Sequence, residues 1–176
     1  SANLPARHSG RTAEYGMASS PLIYGDTVIA TIGAPGATVV AVNQKTGETV
    51  WTAGKGDPAG YSSPAILKIG KTDQLVVFTG SAVLAVNPKN GQQLWKHEYV
   101  TGYHCNIVTP QIVGGNLFIS SGENHGSTML AVKTSSAKAH VSKVWESLGR
   151  TSVLRNEWQT SIHLDGNLFG YDNVGG

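Results

Sequence analysis

A period of 43 to 51 residues runs through the chain and restricts its fold more than any other property. Residues 19–51 read SSPLIYGDTVIATIG and then TVVAVNQKTGETVW. Residues 62–95 read SSPAILKIGKTDQLVVFTG and then AVLAVNPKNGQQLW. Residues 108–145 read VTPQIVGGNLFISSG, then TMLAVK and, after an insertion, KVW. A fourth copy starts at Thr160 as TSIHLDGNLFGYDN and breaks off at Gly176. Prolines mark the same slot at Pro21, Pro64 and Pro110, with Ser161 in the last copy. Tryptophans at positions 51, 95 and 145 keep step with them. Two independent markers with one period are seldom a product of chance.

Each period reads as four short strands. The first follows the proline slot, a glycine turn leads to a β-branched second, the third contains VVAV, VLAV or MLAV, and the fourth ends in the tryptophan. No segment keeps apolar spacing at i, i+3, i+4 and i+7, so little helix is expected. Four antiparallel strands repeated at this period describe β-propeller blades. The expected fold is all-β: three to four four-stranded antiparallel blades forming an incomplete ring. The blades cover roughly 17–53, 60–97, 106–147 and an incomplete 158–176, within a single partial domain over 1–176. Asn3 to Gly16 reads as a polar lead-in, either the outer part of a preceding blade or its connecting loop. Gly33 to Ala37 reads as a loose hairpin connection.

Composition removes several classes. Hydrophobic residues make up 40% and charged residues 14%, which allows a buried core. Thirteen Lys and Arg balance eleven Asp and Glu with no dense basic run, so nucleic acid is not an expected partner. No stretch of eighteen apolar residues exists, so no transmembrane segment is expected. Ser1 to Arg11 lacks an apolar signal core, and the missing initiator Met suggests a processed or excised chain. Cys105 is the only cysteine and stands beside His104. Neighbours on a strand point to opposite faces, so a nucleophile–base pair is disfavoured and a small buried side chain is expected.

The segments Ala41 to Trp51 and Ala85 to Trp95 resemble the tryptophan-docking motif of quinoprotein-like, PQQ-like repeat propellers, A-x-D-x-x-T-G-x-x-x-W. Asn43 and Asn87 stand in for the aspartate. The third copy keeps Ala131 and Trp145, but Lys133 to Ser142 replaces the compact turn. The resemblance implies a bacterial propeller of the quinoprotein alcohol dehydrogenase-like type. Trp51, Trp95 and Trp145 would stack between neighbouring blades, with Gly47 and Gly91 supplying positive φ in the turns. Such rings commonly have seven or eight blades, so the chain would supply about half of one. Two large apolar faces would then stay open for the remaining blades of a longer protein or for a second copy in a dimeric ring.

In propellers the loops entering the innermost strands gather at the channel mouth. There Tyr61, Tyr103, His104, Asn106, Arg155, Asn156 and Trp158 are the candidates for contacting a protein or small-molecule ligand. Glu123-Asn124-His125 sits in a predicted turn and reads as solvated rather than metal-binding. No catalytic or metal-binding residue is assigned, and His8, His97, His140 and His163 have no role. The function taken from the resemblance is a noncatalytic binding or scaffold module, with no cofactor expected. The outer-membrane β-barrel assembly lipoprotein is a relative in kind. One alternative is part of a PQQ-dependent dehydrogenase with calcium. Against it, Cys105 has no cysteine neighbour and no aspartate-based catalytic pair is evident. Another is a calcium-assisted hydrolase or lactonase, for which Glu157 is the only acid near the axis. The resemblance favours the periplasm or secretion, with the cytoplasm left open.

Overall fold

The computed structural model describes residues 2–122, 125–134 and 139–172. They form three four-stranded antiparallel sheets followed by a two-stranded hairpin. The first sheet holds β1 (Leu22–Tyr24), β2 (Thr27–Ala34), β3 (Ala37–Asn43) and β4 (Thr49–Ala53). The second holds β5 (Ala65–Ile69), β6 (Thr72–Phe78), β7 (Ala82–Val86) and β8 (Gln93–Glu98). The third holds β9 (Gln111–Val113), β10 (Asn116–Ser121), β11 (Gly126–Thr134) and β12 (Ala139–Leu148). The hairpin is β13 (Ile162–Leu164) with β14 (Asn167–Phe169). Within each sheet every strand lies beside its predecessor, the meander of a propeller blade. Apart from one helical turn, α1 (Leu4–Arg7), and a 3-10 turn at Gly102–His104, the described chain is strand and loop. The fold is all-β and its ring is open.

The turns follow from their residues. Asn43 Oδ1 accepts from the amides of Lys45 and Thr46 at 2.9 and 3.0 Å. Asn87 Oδ1 accepts from the amide of Lys89 at 3.0 Å. Asparagine therefore closes the turn as aspartate would. Gly47 and Gly91 follow with φ of 72° and 73°, where a side chain would be strained. Gly33 to Ala37 departs from the expected loose connection: Ala34 pairs with Ala37, leaving a two-residue turn.

One row of partners crosses each blade at the same register. It runs Leu22, Ile29, Ala41, Trp51 in the first, and Ala65, Val76, Ala85, Trp95 in the second. In both, a bulge precedes the tryptophan. Strand alternation then assigns faces. Leu75, Val77, Leu84 and Val86 meet Ile29, Val39, Ala41 and Trp51 of the first blade. Val76, Phe78, Val83, Ala85 and Trp95 meet Leu117, Ile119 and Leu130 of the third. Nearly every apolar residue of β6 and β7 is thus used once, on one side or the other.

The third blade corrects the sequence alignment. Its row is Gln111, Phe118, Met129, Trp145, so Met129 and not Ala131 stands opposite the tryptophan. The MLAV string matched VVAV by composition, but the register sits two residues earlier. β11 and β12 run on beyond the row, and Thr134 Oγ1 comes within 3.0 Å of where a Cβ on Gly70 would lie. Val132, Ala139 and Val141 of this long hairpin pack against the cluster containing Trp95. The insertion therefore covers Trp95, as the turn glycine Gly91 covers Trp51; a Cβ there would lie 2.6 Å from the indole Cε3. Trp145 itself is 38% exposed, against 8% for Trp51 and 5% for Trp95. Strands three and four of the next blade cover a tryptophan, and the described fourth unit has only strands one and two.

The lead-in forms neither a blade nor a free loop. Asn3 Oδ1 caps α1 by accepting from the Ala6 amide, and Leu4 packs against the cluster of Ile32, Val40 and Val42. Arg7 Nη1 donates to Gly47 O at 2.6 Å. This strap covers part of the side of the first sheet facing away from the second, so Val40 is fully buried while Ile23 on the same side stays exposed, and one of the two faces expected to be open is partly covered.

Candidate ligand-binding site

The loops before each first strand rest on glycines at the ends of the second strands. A Cβ on Gly33 would lie 2.1 Å from the Ala59 amide nitrogen. A Cβ on Gly80 would meet His104 Cβ at 2.5 Å, and one on Gly122 would meet Glu157 Cβ at 2.5 Å. The three inter-blade loops can approach only because these positions carry no side chain. The recurring glycine after TI, FT and SS was a legible signal that the sequence reading passed over.

The candidate residues separate into two groups. Asn106 is fully buried and saturated: Nδ2 donates to Thr79 O at 2.7 Å and Tyr99 O at 3.2 Å, Oδ1 accepts from Thr101 Oγ1, and its carbonyl accepts from the Tyr61 and Ser62 amides. Asn156 repeats this role in the next loop, with Nδ2 donating to Tyr171 O and Oδ1 accepting from Ser161 Oγ. Arg155 is buried against Asp172, to which Nε and Nη2 donate at 3.0 and 2.9 Å, while Nη1 donates to Arg150 O. Those hydrogen bonds hold the Asp172 carboxyl below its ordinary range and raise Arg155. All three side chains build the loops. Trp158 is 76% exposed and does not line the cavity that gathers the remaining candidates.

Tyr61, Tyr103 and His104 converge on one cavity of about 320 Å³. Pro35 and Pro58 add apolar wall, and the lead-in contributes Arg11 and Glu14, which the sequence reading did not select. His104 Nδ1 lies 3.0 Å from Gly80 O. Tyr61 Oη accepts from the Tyr15 amide at 3.1 Å, and the two rings lie 6.1 Å apart. Tyr103 and His104 both take φ of 56°, a left-handed conformation that costs a non-glycine residue energy. They belong to the 3-10 turn rather than to a strand, so the alternation argument against a His104–Cys105 pair does not apply. Cys105 is buried, with its thiol donating to Tyr103 O at 3.6 Å.

Of the Glu123-Asn124-His125 turn, the first two residues lie outside the described residues. His125 stacks edge-on to Tyr99 at 4.5 Å, and burial lowers its pKa. Among the described residues no three His, Cys, Asp or Glu side chains cluster as metal ligands would.

A family model described as outer membrane protein assembly factor BamB matches residues 9–173. No curated protein matches the chain. Among solved structures, BamB from Moraxella catarrhalis is similar at 11% identity and a TM-score of 0.49, over 87% of this chain. The chain spans 40% of the length of that protein.

Proposed function

Because the chain belongs to the PQQ-like repeat propellers described as outer membrane protein assembly factor BamB, we propose that it is a noncatalytic binding module whose ligand sits at the mouth of the blade loops. The observation that carries this is the convergence of Tyr61, Tyr103 and His104 on one cavity, while the buried polar candidates are consumed by structural bonds. A cavity with polar groups at its rim suits ligand binding. The family description favours a protein partner at the outer membrane, and on that ground the chain is assigned to the periplasm or exterior. No helix among the described residues is long and apolar enough to cross a membrane.

Pyrroloquinoline quinone is the cofactor that the fold family brings to mind, and the described residues do not fit it. The quinone carries three carboxylates. The cavity offers Arg11 opposed by Glu14, and the buried guanidinium of Arg155 is already bound by Asp172. Incubation of the full chain with this quinone and calcium, followed by dye reduction on an alcohol or sugar, is expected to give no turnover; turnover would overturn the reading.

The same reading assigns the open flank of Trp145, and the far side of the β13–β14 hairpin with Ile162 and Phe169, to further propeller blades or to a second copy of the chain. All three are more than a third exposed, whereas the equivalent Trp51 and Trp95 are covered. Sedimentation is expected to show self-association of the isolated chain, and a purely monomeric species would remove the second copy from consideration.

A further inference from the structure

We infer that the cavity at the loop mouth takes a small, uncharged, hydroxyl-rich ligand of the sugar or polyol class; this rests on the binding-module reading and specifies its ligand. The first argument is the hydrogen-bonding state of the wall. Gly80 O can only accept, so the hydrogen between it and His104 sits on Nδ1. In the neutral ring, Nε2 then keeps its lone pair and is an acceptor. Tyr61 Oη already accepts from the Tyr15 amide, and its own hydrogen is taken up by no described residue. The cavity therefore presents one fixed acceptor and one fixed donor. Hydroxyl groups, which donate and accept at once, satisfy both.

The second argument is shape. Tyr103 is 65% exposed on a backbone held at φ 56°. Two consecutive left-handed non-glycine residues persist only where surroundings over-determine them, and such strain gathers at ligand clamps. Here the surroundings are the Gly80 contact with His104 and the saturated Asn106 that follows. The result is an exposed aromatic ring that offers its flat apolar face to the C–H face of a sugar. A volume of about 320 Å³ lies at the small end of ligand cavities.

The third argument is charge. Arg11 and Glu14 bring one charge of each sign to the lining, so the cavity favours neither an anion nor a cation.

The test is saturation-transfer NMR on the full chain with glucose, mannitol, citrate and benzoate as separate probes. Signals are expected from the C–H protons of glucose or mannitol, with affinity reduced at least about tenfold in Tyr61→Phe and His104→Gln. Tyr103→Ala, which removes a largely exposed ring, gives the same readout where either loop variant fails to fold. Binding of citrate or benzoate in place of the neutral probes would overturn the ligand class and leave the binding module standing. Neutral probes bound equally by all variants would overturn the location. Silence from all four probes would overturn the ligand class and leave the binding module, with a protein as its partner, standing.

Discussion

Trp95 and Trp145 occupy the same register position in adjacent blades and meet opposite fates. Trp95 lies over the alanine at position 85, donates from Nε1 to Gln74 Oε1 at 2.7 Å, and is covered by the long β11–β12 hairpin. Trp145 lies over Met129, contacts Phe118 at 6.2 Å and stays 38% exposed. Trp51 stands between them: it is buried on alanine, yet its indole nitrogen has no partner among the described residues. The tryptophan alone does not dock a blade. Both covered rings stand opposite an alanine and against the outer part of the next blade, and Trp95 alone of the two adds an acceptor for its N–H among the described residues.

The strongest way to break this comparison is truncation. Trp95→Ala is expected to destabilise the chain by about 3–5 kcal/mol in urea unfolding, the cost of removing a buried large aromatic. Trp145→Ala is expected to cost about 1 kcal/mol or less, because a partly exposed ring loses less on removal. Equal losses would show that the two rings do the same structural work. Thr27 holds the first-blade position equivalent to Gln74, two residues before the row. Thr27→Gln is therefore expected to give the Trp51 N–H an acceptor and to stabilise by about 0.5–1 kcal/mol. A melting temperature that stays level or falls would refute the equivalence.

The smallest expected effect is on pH. His97 is lowered by burial and then by Lys143, and His125 by burial, both at the junction of the second and third blades. Their stability contribution is complete above the unfolded value of 6.5 and is lost as pH falls through the lowered folded values. The melting temperature should drop between pH 7 and pH 5. Replacing both with glutamine should flatten that slope, and an unchanged slope would place the acid sensitivity elsewhere.

The blades were legible because strand alternation and turn chemistry are local. Asn43 with Gly47, and Asn87 with Gly91, announce their turns in five residues. The candidate site was legible only in part. Tyr61, Tyr103 and His104 were selected together with Asn106, Asn156 and Arg155, because loop composition does not reveal which polar groups are consumed. Asn106 and Asn156 turn inward to backbone carbonyls just past the ends of strands, at Thr79, Tyr99 and Tyr171, and Arg155 finds Asp172 seventeen residues on. Arg11 and Glu14 were missed because a polar lead-in carries no pattern that fixes where it docks.

The amino-acid order by itself determined the repeat, the strands, the turn types and the blade architecture, since each depends on neighbours within one hairpin. Tertiary contact decided which alanine lies under a tryptophan, whether that ring is covered, and which side chains remain available at the mouth. A two-residue shift of register or a missing neighbour changes burial without changing any local preference. That is why MLAV could match VVAV in sequence and still place a methionine where the other blades have alanine.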